Sequence, residues 1–158
     1  MAVNTFDNLP QVLRKRKNEM VGLVNTIARR AAVAAGTHLV RSTPVKRGIA
    51  RSNWVATVDT PFDGVIPAYH PYPSLDNGPA PIEMFGETQN QSSAIRQHAV
   101  AVQEFNALRN RSIRIQNNVG HISALNNGHS RQNPVPGWFE MSTPVAIAAI
   151  RGQWRLAL

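Results

Sequence analysis

From Val12 to Arg41 the chain runs without a proline, and Met20, Val24, Ile27, Ala28, Ala31, Ala35 and Leu39 recur at steps of three and four. That spacing puts them on one stripe of a helix. The rest of the surface is largely basic, with Arg14, Lys15, Lys17, Arg29 and Arg30. The Ala-rich stretch from Ala28 to Ala35 favours helix and carries small side chains, so another element can approach it closely. Thr43-Pro44 ends the helix, because the residue before a proline is pushed out of the α region. A long N-terminal helix is therefore the frame on which the rest is hung.

Beyond Pro44 the periods are mixed. Val45 to Ala50 reads as a basic turn around Gly48. Ser52 to Val58 alternates, with Trp54, Ala56 and Val58 on one face, which is a strand pattern. Turn formers from Asp59 to Gly64 predict a hairpin returning through Val65 to Tyr69. Residues 70–91 hold Pro71, Pro73, Pro79, Pro81 and Asn77-Gly78, show no period, and read as a long loop. Ser92 or Ser93 caps a second helix to about Arg109, with Ile95, Ala99, Val102, Phe105 and Leu108 as its stripe. Ser112 to Val119 reads as a strand, and His121 to Asn126 as a short helical turn. Residues 129–137 form a loop. A last helix runs from Pro144 to about Leu156, with Thr143 as N-cap and Val145, Ala148, Ala149, Ile150 and Trp154 on its buried face. The order predicts one α+β domain, residues 1–158, with helices on a small antiparallel sheet.

Charge is unevenly placed. The net charge is +8 over 158 residues. Residues 1–57 carry ten basic side chains and two acidic ones, and residues 92–158 carry seven and two. Between them, residues 58–91 hold Asp59, Asp63, Asp76, Glu83 and Glu87 and no Lys or Arg. An acidic segment between basic flanks suits self-complementary contact between copies.

Chemistry is sparse. There is no cysteine, so thiol nucleophiles, disulfides and thiolate zinc sites are excluded. His38, His70, His98, His121 and His129 make no metal-ligand pair with a carboxylate. No G-x-S-x-G elbow, P-loop or G-x-G-x-x-G occurs. No catalytic residue, metal or cofactor is expected, and no run approaches the ~20 apolar residues of a membrane span.

Two segments carry a resemblance. The first is Thr43-Pro44-Val45-Lys46-Arg47-Gly48-Ile49-Ala50-Arg51-Ser52-Asn53-Trp54, directly after the Ala-rich helix. The second runs from Ile115 through Asn117, Asn118, Gly128, His129 and Ser130 to Pro134, Pro136 and Gly137. Together, in this order, they resemble the tail-completion or neck (head–tail joining, minor tail) proteins of tailed bacteriophages. The family often has Asp-Thr where this chain has Lys46-Arg47, and an aromatic where it has His121.

The resemblance implies a non-enzymatic virion protein, assembled in the host cytoplasm into a hexameric or dodecameric ring at the head–tail interface. Its partners would be further copies of itself, adjoining connector, head-closure and tail proteins, and double-stranded DNA in the lumen, touched through phosphates alone. A tail-terminator ring is the alternative within this class. A basic, sequence-independent nucleic-acid-binding protein is the alternative outside it. On the ring reading, residues 70–91 project to a neighbour through Asp76, Glu83 and Glu87. Arg51, Gly128, His129, Ser130 and Pro136 are the further subunit-interface candidates, and Arg29, Arg30, Lys46 and Arg47 line the DNA passage. Pro44, Gly48, Trp54, Asn117 and Asn118 shape the backbone and core, with Trp54 between the first helix and the sheet.

Overall fold

The computed structural model describes residues 8–44, 48–68, 85–131 and 133–154, without the side chains of 85–90, 153 and 154. It is an α+β fold, in which a long N-terminal helix and several further helices accompany a two-stranded antiparallel sheet. Helix α1 spans Leu9–Ser42, 34 residues and about 51 Å of rise. Pro10 sits in its first turn, where a missing N–H costs nothing. At the other end Thr43 is extended ahead of Pro44, and its N–H and hydroxyl both donate to the Leu39 carbonyl, at 3.1 and 2.6 Å. Only the C-terminal part of the predicted stripe is covered: Leu39 is buried, whereas Met20 and Val24 are exposed.

Gly48 then takes φ +77°, a left-handed conformation that glycine adopts without penalty. One helical turn comes next, α2 over Ile49–Ser52, where the alternation predicts the strand to begin. Strand β1 is Val55–Val58. Its partner is not the expected return through Val65 to Tyr69 but β2, Ile113–Gln116, in the register Val55↔Gln116 to Val58↔Ile113. Within that expected return Pro67 has no N–H to give a ladder, and Tyr69 lies outside the described residues.

Side-chain amides hold Phe62 and Ile66 instead. Gln116 accepts from Phe62 N–H (3.2 Å) and donates to the Phe62 carbonyl. Asn53 accepts from Ile66 N–H and donates to the Ile66 carbonyl, both at 2.7 Å. Elsewhere Gln97 does the same for Ala56, at 3.3 Å each way. An amide has one acceptor and one donor end, so it satisfies both polar groups of a residue as a neighbouring strand would. At the end of β1, Asp59 has φ +59° and is held there by its own carboxylate, which accepts from Arg111 and Ser112 N–H at 2.8 Å and from Asn110 Nδ2 at 3.1 Å. These bonds, the one from Asn110 foremost, hold the carboxyl below its ordinary pKa.

Helix α3 spans Phe85–Ala101. It starts before Ser92, so the expected loop is helical from residue 85 on, and it ends in a single 3-10 turn, Val102–Glu104, short of Arg109. Its buried residues are Ala94, His98 and Val102, one turn apart, while Leu108 is exposed. After β2 come α4, Ile122–Asn126, and α5, Ser142–Trp154, which packs along α1. Thr143 lies inside α5 instead of capping it, and Ala148 faces outward.

The core gathers Leu39, Val40, Ala50, Trp54, Ala94, Ile122 and Trp138. Trp54, Trp138 and Phe139 meet edge to face, with ring centroids 4.5 to 6.2 Å apart. Such contacts add to the burial of the rings themselves. His98 is wholly buried, and its Nε2–H donates to the Trp54 carbonyl at 2.6 Å. Its Nδ1 is buried with no hydrogen-bond partner, so the ring is neutral. Burial lowers its pKa below 6.5, against the opposing pull of the Trp54 carbonyl. A neutral histidine in the fold and a protonatable one in the unfolded chain make stability fall as pH drops below about 6.5. Chemical denaturation from pH 7.5 downward should show that loss, and His98→Gln should flatten it. A profile that is level down to the carboxylate range, where Asp59 begins to protonate, would contradict the assignment.

Candidate functional site

The two segments that carry the resemblance converge on the C-terminal end of α1. Thr43, fully buried, is the hinge: its carbonyl accepts from Arg51 Nη2 and its hydroxyl from Trp54 Nε1, both at 2.7 Å. From the second segment, Asn117 Nδ2 donates to the Ala50 carbonyl at 2.7 Å. Asn133 Nδ2 reaches the Ser42 carbonyl at 2.9 Å, and His38 Nε2 donates to the Trp138 carbonyl at 3.0 Å. The last carbonyl of α1, that of Ser42, thus finds its donor in a distant segment. Asn118 adds bonds to the carbonyls of Phe62 and Gly64.

Beyond α4 the chain makes a pinned excursion. Gly128 has φ +81°, and a Cβ there would lie 2.5 Å from the Pro134 carbonyl oxygen, so only glycine fits. Asn126 holds the base of the loop. Its carbonyl accepts from Gly137 N–H at 2.9 Å and its Oδ1 from Phe139 N–H at 2.8 Å. His129 and Pro136 stand exposed on this excursion, and Ser130 is half-buried.

The cationic and acidic candidates fall into different situations. Arg51 is 5% exposed and donates to the Thr43 carbonyl of its own subunit. Arg29 is likewise engaged: Nη2 donates to the Phe105 carbonyl at 2.7 Å and Nη1 to Gln103 at 3.3 Å. It closes the end of the 3-10 turn and is half-buried there. Arg30 is exposed. Lys46, Arg47, Asp76 and Glu83 lie outside the described residues, and Glu87 belongs to α3 by its backbone. Among the described residues no three His, Asp or Glu side chains gather into a metal-sized cluster, and no helix is long and apolar enough to cross a membrane.

The surface that stands out is one the spacing pointed to without revealing its exposure. Every side chain from Leu9 to Met20 is exposed, and so are Leu23 and Val24. Leu13 is 59% and Met20 67% exposed. Leu9, Val12, Leu13, Met20, Leu23 and Val24 fall within one face at helical spacing. About 24 Å of amphipathic helix therefore has no described residue of its own subunit covering its apolar face. Arg14, Lys15, Arg16 and Lys17 flank or interrupt that face, and Arg16 pairs with Glu19 at 3.0 Å. On the body, beside β1, a groove of about 330 Å³ is lined by Val58, Phe62 and Ala101, with exposed Asp63 and Glu104 and no basic residue among its described lining. Comparison of the chain with known protein families, curated sequences and solved structures found no match to set beside this geometry.

Proposed function

We propose that this chain is a non-enzymatic subunit of a homo-oligomeric ring at the head–tail interface of a tailed bacteriophage, with double-stranded DNA passing through the lumen. One observation supports the reading above the others. The two neck-like segments, far apart in sequence, meet where Asn117 Nδ2 donates to the Ala50 carbonyl and where Ala50, Trp54 and Ile122 share one core cluster. An unpartnered amphipathic arm fits the same reading, since a monomer gains nothing from an apolar face this long. Adjoining connector, head-closure and tail proteins are the expected neighbours along the axis, and a tail-terminator ring is the variant that would use the same subunit architecture.

A second reading, sequence-independent nucleic-acid binding outside any particle, draws on Arg109, Arg111 and Arg114, which are exposed together near the start of β2. Genetic removal separates the two. On the ring reading, particles made without this chain accumulate as filled heads and free tails that do not join, and supplying the chain restores joining. Normal joining without it would overturn the ring. Steeply salt-dependent DNA binding by the isolated chain, with joining unaffected, would favour the second reading.

A further inference from the structure

We infer that the N-terminal arm of α1, residues 9–24, seats in the groove beside β1 of a second copy of this chain. The inference rests on the proposed ring and names the contact that builds it. Among the described residues, none covers the side chains of Leu9 to Met20, Leu23 or Val24. Helix α1 is tied to the body where Ala107 N–H donates to Asn25 Oδ1 at 2.8 Å and Arg29 reaches Phe105, and Val21 is still half-buried. From there it continues without a break to Leu9, with every side chain from Met20 to Leu9 exposed. A continuous helix does not double back onto the body it has left.

Charge decides which occupant suits each surface. The arm carries Arg14, Lys15, Arg16 and Lys17 against Glu19 alone, so two arms laid together repel. The groove offers the opposite sign, Asp63 and Glu104 beside half-buried Val58, Phe62 and Ala101. An amphipathic helix with basic flanks in an apolar groove with acidic edges is the helix-in-groove mode of recognition. Arm and groove are different surfaces of one subunit, so the contact is head to tail, and a head-to-tail contact generates a ring when its rotation closes. Each subunit then makes the contact twice, once with its arm and once with its groove.

The absence of cysteine gives a clean test. Leu13→Cys and Thr60→Cys are exposed positions on the arm and the groove. Full-length chains carrying one each, mixed and oxidised, should form the 13–60 heterodimer well in excess of either homodimer. A chain carrying both should form a ladder of linked species. Lys15→Glu with Lys17→Glu should cut the heterodimer yield about tenfold, as pairs at the groove edge turn from attraction to repulsion. Adding Asp63→Lys and Glu104→Lys to the partner should restore it. Arm–arm homodimers in excess, a statistical mixture, or yield unchanged by charge reversal would overturn the inference, as would arm charges needed for binding duplex DNA while linkage is absent. Rings that form equally well with these reversals would sink this seat and leave the ring standing. Heterodimers from a chain that is missing from particles would keep the seat and remove the ring from the virion.

Discussion

Trp54→Ala is expected to lower unfolding free energy by roughly 3–5 kcal/mol, the range for truncating a large buried aromatic. The indole is 4% exposed, meets Trp138 and Phe139 edge to face, and donates to Thr43 Oγ1 at 2.7 Å. Its backbone carbonyl also receives His98. Removing the side chain opens a cavity at the point where α1, β1 and the segment after α4 meet, so the three ought to loosen together. Trp54→Phe keeps most of the apolar volume and loses the hydrogen bond, for which about 1 kcal/mol is expected. Urea unfolding followed by far-ultraviolet circular dichroism measures both. A loss below about 1 kcal/mol for Trp54→Ala would mean that the aromatic trio is not the core.

The second large effect is at Gly36. A Cβ on Gly36 would lie 2.0 Å from His98 Nδ1 and 2.7 Å from its Cε1. The ring cannot step aside, because its Nε2 is bonded to Trp54 and it is buried on all sides. In an ordinary helix Gly→Ala stabilises by about 1 kcal/mol. Here it should destabilise by about 2 kcal/mol or more, as overpacking does. With His98→Ala already in place the clash is gone, and Gly36→Ala should revert to neutral or stabilising. That change of sign is the expected outcome of a double-mutant cycle. Additive effects would show that α1 and α3 do not interlock through this pair.

Much of the helical framework was legible because it rests on local chemistry. Thr43-Pro44 stops α1, and Asn127-Gly128 marks the end of α4. The strand partner of β1 was not legible. Turn formers from Asp59 to Gly64 suggested a hairpin returning through Val65 to Tyr69, but turn chemistry says nothing about which residues supply hydrogen bonds. The side-chain amides of Asn53 and Gln116 take the place of ladder partners at Ile66 and Phe62. The α3 boundary was missed because Thr88 to Gln91 is polar and comes after a proline-rich stretch, although nothing in those residues forbids a helix. His98 was hidden because a buried histidine needs a notch, and the notch is Gly36 on a different helix.

The candidate surface was half legible. Helical spacing placed Met20 and Val24 on one stripe, and the inference from stripe to burial failed because an apolar face needs something to cover it. Sequence spacing cannot tell a face covered by its own chain from one left for another copy. The acceptor of Arg29 is the backbone carbonyl of Phe105, which no charge pattern reveals, whereas the place of Arg51 just after the helix stop suits a bond to a carbonyl such as that of Thr43.

Quantitative mass spectrometry of purified particles tests the central claim most directly. If the chain is a ring subunit at the head–tail interface, it is present in mature virions at a fixed copy number, six or twelve by the family resemblance. It remains with the neck when heads and tails are separated. Its absence from particles, or a variable trace amount that washes off with salt, would contradict the account.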